Sequence, residues 1–346
     1  PVGVICLDEV QKAMNMHKFN AQAATAVENH ETEEIDAAIV SELREYVAII
    51  ASSYKDNPFH NFAHACHVTM SVHKLLTRIV APELAPEKFD ILQKGGHELA
   101  KELNDFSHGI VHDPMALFAI TFSALIHDVD HQGVSNVQLA KEHPEMADHY
   151  RNKSIAEQNS VDVAWDVLML EKFTGLRRCI FETKEELVRF RQLIVNTVLA
   201  TDIFDKELNA LRRERWQQAF SGNCPDEEIN DMRATIVIEH IIQASDVSHT
   251  MQHWHVYRKW NASLFREMYL AYRAGRMGAD PSTFWYEGEL GFFDNYVLPL
   301  ATKLKECNVF GVSSDEYFNY AKLNRAEWED RGKEIVQELI ADCCSQ

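Results

Sequence analysis

The sequence predicts an all-α chain, on three observations. Glycine and proline are scarce, 13 and 9 of 346 residues, while helix formers abound, so the composition disfavours a turn-rich β-sandwich. Apolar residues recur every three or four positions along several long segments, the period of a helix with one buried face. Alternating apolar and polar runs, which mark half-buried strands, are missing from the sequence, and so are internal repeats, low-complexity tracts and convincing linkers. Residues 1–346 are therefore expected to form one domain, long enough to bury a sizeable core.

From Glu33 to Ser52, the positions Ile35, Ala38, Ile39, Leu43, Tyr46, Val47 and Ile50 describe an amphipathic helix. Asp56-Asn57-Pro58 breaks it, and Pro58 suits the first turn of a second helix that carries His60 and His64 and runs towards Leu76. Residues 81–114 differ in character, with Pro82, Pro86, Gly95-Gly96, many charges and the histidines His97, His108 and His112. This stretch reads as an exposed insertion whose histidines are solvated. Met115 to Ile126 is a twelve-residue apolar run, too short to span a bilayer, and reads as a buried helix. Further helices are expected from Glu185 to Ala200, Asp231 to Ala244 and Trp254 to Ala274. The last lines one face with Trp254, Tyr257, Trp260, Leu264, Phe265, Met268 and Tyr272.

A formal charge of −19, with no Lys/Arg run to offset it, repels a polyanion and excludes a duplex nucleic acid partner. Seven scattered cysteines, without a Cys-x-x-Cys pair, read as reduced thiols in a cytoplasmic setting. The chain opens on Pro1 without a signal-peptide pattern, so a fragment of a longer protein is expected, with no membrane contact of its own. The parent is free to carry a regulatory domain or a membrane tether.

The chemistry resides in histidines and carboxylates. His60 and His64 are four residues apart, the spacing that puts two imidazoles on one helix face, and His127 and His131 repeat it. A single such pair among 17 histidines reads as chance or core packing. Two pairs, one with Asp128 adjacent at the end of an apolar run, together with Asp246, point instead to paired divalent metals and a metal-dependent hydrolase.

Read in order, Phe59-His60-Asn61-x-x-His64-Ala65, His127-Asp128-Val129-Asp130-His131-x-Gly133-x-x-Asn136, Ser154-Ile155-x-Glu157, Ala200-Thr201-Asp202, Asp246-Val247-Ser248 and Gly291-Phe292-x-Asp294 resemble the class I cyclic nucleotide phosphodiesterases. The likeness covers nearly the whole chain. It implies a compact multi-helix catalytic domain with a metal-centred pocket, converting 3',5'-cyclic nucleotides to 5'-monophosphates in signal transduction. His64, His127, Asp128 and Asp246 would hold zinc, and a second ion sharing Asp128 would be magnesium or manganese. Between two such ions a bridging water loses its proton and attacks phosphorus. His60, with a pKa near neutral, would protonate the departing 3' oxygen. The resemblance adds His131 and Glu157 as catalytic residues, and Asp202 and Thr201 in the surroundings of the metals. Phe292 and Leu264 would clamp the purine, Tyr257 and Trp260 would back that wall, and Asn61 and His249 would face the substrate. A homodimer is compatible with all of this.

The sequence departs from the family at several places. Glu289 stands where a glutamine normally reads the purine edge, and an ionised carboxylate only accepts hydrogen bonds. Guanine presents two adjacent donors there, so cGMP is expected to be preferred over cAMP. His249 occupies a place often held by asparagine in adenine-preferring relatives, His67 replaces an aspartate, and Asn159-Ser160 replace two histidines. The stretch between His64 and His127 is long for the family, which is why 81–114 reads as an insertion. Two other readings compete: a degenerate, non-hydrolytic module that binds cyclic nucleotides, and a His-Asp metal phosphohydrolase acting on other nucleotides.

Overall fold

The computed structural model describes residues 10, 12–18, 35–79, 96–220, 226–310 and 313–344. Among them all regular structure is helical and no strand occurs, as the composition predicts. Helix α1 (Ala37–Ser53) starts where Asp36 accepts from the Ala38 amide at 2.8 Å. It buries Tyr46, whose hydroxyl donates to Ala164 O at 3.0 Å. Helix α2 (Phe62–Leu76) starts four residues after Pro58, because Asn61 is the cap and accepts from the His64 amide at 3.1 Å. His60 therefore lies just ahead of the helix, which corrects the expectation that it shares a helical face with His64.

The expected exposure of 81–114 is also corrected where the structure describes it. Residues 80–95 lie outside the described part, but 96–113 fold back onto the body as α3 (Gly96–Phe106) and a 3₁₀ turn (Ile110–His112). Ala100, Ser107 and Ile110 are fully buried, and His108 and His112 are half-buried. Polar composition misled here, because an amphipathic helix needs only a few apolar residues at the right spacing to dock.

Helix α4 (Pro114–Ile126) is the buried centre, as expected. Asp113 caps it, accepting from the Ala116 amide at 3.0 Å, and is itself 1% exposed. The same carboxylate takes the Arg189 guanidinium and the His17 amide, the latter at 3.0 Å. Asp113→Ala removes at once the cap and the ion pair to Arg189, which keeps its bond to Asn15 O. It is expected to lower unfolding free energy by about 3 kcal/mol in chemical denaturation, and a loss below about 1 kcal/mol would refute this account.

The chain continues through α5 (Asn136–Glu142), α6 (Pro144–His149), α7 (Ile155–Leu168), α8 (Thr174–Ile180), α9 (Lys184–Leu199), α10 (Lys206–Phe220) and α11 (Asp226–Asp246). Then follow α12 (Trp254–Arg273), α13 (Trp285–Phe292), a π-helical segment (Phe293–Val297), α14 (Leu298–Glu306) and α15 (Ser313–Cys344). Helices α2, α9 and α11 pack around α4, and α15 packs along α12, α13 and α14. This arrangement brings the C-terminal ends of α4 and α11 to the first turn of α2. Helix C-termini carry partial negative charge, so the junction is a place for cations. Among the described residues no helix is long and apolar enough to cross a membrane.

Candidate active site

His64 comes from the first turn of α2, His127 is the C-cap of α4, Asp128 follows it, and Asp246 is the last residue of α11. Capping thus places His127, and the turn after it contains Asp130 at φ 61°, so His127 and His131 do not share a helical face either. All four side chains converge. His64 Nε2 lies 3.0 Å from Asp246 Oδ1 and 3.8 Å from Asp128 Oδ2. His127 Nε2 lies 3.1 Å from Asp128 Oδ2 and 3.4 Å from Asp246 Oδ1.

The donor set fits a divalent cation. His127 Nδ1 donates to Ala124 O at 2.9 Å, which leaves Nε2 with a lone pair aimed at the carboxylates. That Nε2 is buried and has no hydrogen-bond partner. Burial alone would depress the His127 pKa, but Asp128 and Asp246 hold it well above the usual imidazole range. Burial would likewise raise Asp128, yet His127 holds it well below the usual carboxylate range. Both shifts express one demand for positive charge at the centre.

Next to this cluster, His60 is held by a residue that the sequence reading missed. Glu267, on α12, accepts from the amides of Phe59 at 2.8 Å and His60 at 2.9 Å through Oε2, and pairs with His60 Nδ1 through Oε1. Burial lowers the His60 pKa, but Glu267 outweighs it and lifts it from 6.5 to about 9, higher than the near-neutral value expected. The His131 ring stacks on His60 with centroids 3.9 Å apart, and burial together with the charge on His60 pushes it down to about 4. One imidazole of the stacked pair therefore carries the proton at neutral pH. The available signal for Glu267 was a lone carboxylate on the buried aromatic face of α12, seven residues after Trp260.

A second acidic pair lies beyond. Asn136 Nδ2 donates to Glu157 Oε2 at 2.9 Å and reaches Asp202 Oδ2 at 3.5 Å, while the Ser154 hydroxyl donates to Asp202 Oδ2 at 2.7 Å. Burial and the neighbouring Asp202 push the Glu157 carboxyl up to about 8. Thr201 turns its hydroxyl back to Val198 O at 2.8 Å.

On the aromatic side, Phe292 is partly exposed and stacks on Tyr296 with centroids 5.3 Å apart, and Leu264 is partly buried. Tyr257 is fully buried, so it reaches a ligand only through Glu289, to which its hydroxyl donates at 2.7 Å. Asn61 spends its amide on Asn57 O at 2.7 Å and its oxygen on the α2 cap. His249 is buried, and that burial pushes its pKa down to about 3, so it is neutral. The departures are absorbed by local contacts: His67 stacks on Trp260 and its Nε2 lies 3.2 Å from Gln252 Oε1, Asn159 donates to Asp130 at 3.3 Å, and the Ser160 hydroxyl lies 2.9 Å from Val129 O.

A family described as 3'5'-cyclic nucleotide phosphodiesterase matches residues 59–312. The dual specificity calcium/calmodulin-dependent 3',5'-cyclic nucleotide phosphodiesterase 1B of Homo sapiens is 26% identical over 263 residues, 72% of this chain and 41% of that protein. The probable 3',5'-cyclic-AMP phosphodiesterase pde-4 of Caenorhabditis elegans is 25% identical over 276 residues, 75% and 36% of the two chains. The chain thus spans less than half the length of these relatives. The solved phosphodiesterase domain of the Salpingoeca rosetta rhodopsin phosphodiesterase shares the fold, with a TM-score of 0.63 at 19% identity over 96% of this chain and 99% of that one. With the family match running from Phe59, beside the His60–Glu267 pair, past Glu289 and Phe292, the chain belongs to the 3'5'-cyclic nucleotide phosphodiesterase family.

Proposed function

We propose that this chain hydrolyses 3',5'-cyclic nucleotides to 5'-nucleoside monophosphates, preferring cGMP to cAMP, with two divalent ions at His64, His127, Asp128 and Asp246. The observation that carries the reading is the convergence of those four donors beside a protonated imidazole anchored by Glu267. The mixed nitrogen and oxygen set suits zinc, and the oxygen-rich side towards Asp128, Glu157 and Asp202 suits magnesium or manganese. Bound there, such ions supply an acidified water and neutralise phosphate oxygens.

The chain's own residues do the rest. His60 holds its proton to well above neutral pH and gives it to the departing 3' oxygen, while Glu267 fixes the ring and stabilises its charge. His131, neutral and stacked on His60, keeps a second positive charge away from the acid. Glu157 and Asp202, cross-braced by Asn136, are placed to order waters on the cation side. The replacements at 67, 159 and 160 are each met by a partner, which supports the hydrolytic reading over a non-hydrolytic module. The greater length of the relatives supports a regulatory domain elsewhere in a longer parent chain.

For the base, burial pushes the Glu289 carboxyl up to about 7, so above that pH it is ionised and accepts only, the pattern that suits guanine's donors. Glu289→Gln is expected to move the cGMP to cAMP ratio of kcat/KM about tenfold towards cAMP, the weight of one charge-assisted hydrogen bond. Side-by-side hydrolysis at pH 8 with magnesium or manganese tests it. No turnover of either nucleotide by the metal-loaded chain would overturn the function, and an unchanged ratio in the variant would overturn the guanine preference.

A further inference from the structure

Phe292 ends α13, and the chain runs on directly into the π-helical segment Phe293–Val297. Such turns are rare and concentrate at functional sites. Here the turn sorts its side chains three ways. Phe293 and Val297 are fully buried, Asp294 and Asn295 are exposed, and Tyr296 is half-buried like Phe292, on which it stacks with ring centroids 5.3 Å and planes 20° apart. The exposed pair is occupied in holding the turn: Asp294 accepts from Arg325 at 2.9 Å and Asn295 donates to Gly291 O at 2.8 Å. Tyr296 differs, because its hydroxyl has no hydrogen-bond partner among the described residues. Burial first, and then the Asp246 carboxylate, hold its proton on, while Arg212 opposes them. Arg212 in turn donates to Leu199 O at 2.7 Å, at the end of α9 just ahead of Thr201 and Asp202. Tyr296 is thus bracketed by Phe292 on one side and, on the other, by the wall that carries Asp246 and Asp202.

We propose that Tyr296 is a specificity-determining residue whose hydroxyl donates to the 2'-hydroxyl of the nucleotide's ribose. The inference rests on the proposed function in taking Phe292 as the face for the purine and Asp246 as a donor to the cation that holds the phosphate. A nucleotide laid between those two points brings its sugar past Tyr296. In a 3',5'-cyclic nucleotide the 3' and 5' oxygens are esterified, which leaves the 2'-hydroxyl as the one free hydroxyl of the sugar. That group both donates and accepts, and it is what distinguishes a ribonucleotide from a deoxyribonucleotide. A protonated phenol, itself donor and acceptor, matches it. A phenylalanine at 296 would stack on Phe292 as well, so stacking alone leaves the hydroxyl unexplained.

The test is the ratio of kcat/KM for a ribonucleotide and its 2'-deoxy counterpart, measured with the cGMP pair and with the cAMP pair on the full metal-loaded chain. Base, phosphate and metal are common to each pair and cancel. The unaltered chain is expected to favour the ribonucleotide about tenfold, the weight of one hydrogen bond whose donor is otherwise left unmet. Tyr296→Phe keeps the ring and its stack, and is expected to bring the ratio to within about twofold of one for both bases. A ratio near one in the unaltered chain overturns the assignment. So does a ratio that persists in Tyr296→Phe, since a structural tyrosine, or one that meets the phosphate, would lower both members of a pair alike. Binding of 5'-GMP and 2'-deoxy-5'-GMP, measured by calorimetry on the same two chains, is expected to show the same preference and the same collapse, and equal affinities in the unaltered chain would overturn the contact. A chain that hydrolyses neither cGMP nor cAMP but shows this pattern in binding would overturn the proposed function and leave the sugar contact standing.

Discussion

Asp246→Asn is expected to lower hydrolysis on the order of 10³-fold, with loss of bound metal. Asp246 approaches both imidazoles, His64 at 3.0 Å and His127 at 3.4 Å. An amide is neutral and binds a hard cation weakly, so the substitution removes one full negative charge from the centre while nearly preserving shape. Loss of several kcal/mol of transition-state charge stabilisation corresponds to a rate factor of about 10³. Metal content after dialysis, measured by mass spectrometry, is read together with kcat. Retention of full metal and activity within about tenfold of the unaltered chain would remove Asp246 from the centre. A chelator should reproduce the effect on the unaltered chain, reversed by readded metal.

Glu267→Gln is expected to reduce kcat about 10²-fold, the usual worth of a positioned general acid, with a smaller change in KM. Glutamine can still hold the Phe59 and His60 amides but carries no charge to stabilise the imidazolium. The pH profile separates this from a structural defect. A general acid works while protonated, so activity that depends on His60 is present at neutral pH and is lost as pH rises through its pKa, about 9 in this structure. Without Glu267, burial depresses that pKa, and the alkaline limb should move to lower pH. Reduced kcat with an unmoved alkaline limb would mean that Glu267 supports the fold and not the proton.

Much of the architecture could be read from periodicity. The apolar run at Met115 to Ile126, the aromatic stripe from Trp254 and the amphipathic spacing before Ser52 all became helices within a few residues of the expected bounds, because each depends on side chains three and four positions apart. What failed did so where a local rule competed with the pattern. Asn61 and Asp113 end or begin helices by hydrogen-bonding free amides, and a cap of that kind moved His60 off the helix that proline and spacing had suggested. The segment 96–113 was judged by its charges, yet its few apolar residues decide where it sits.

The class of the fold and the family were legible in the sequence, since both follow from residue type, order and spacing along one chain. The partner of His60 was not legible there: Glu267 reaches it across 207 positions. Nothing local in the chain marks that pairing, because it arises from helices packing side by side. The charge states were decided there too: the proton on His60, its absence from His131 and the raised carboxyl of Glu289 come from burial and neighbours, quantities that exist only once the chain is folded.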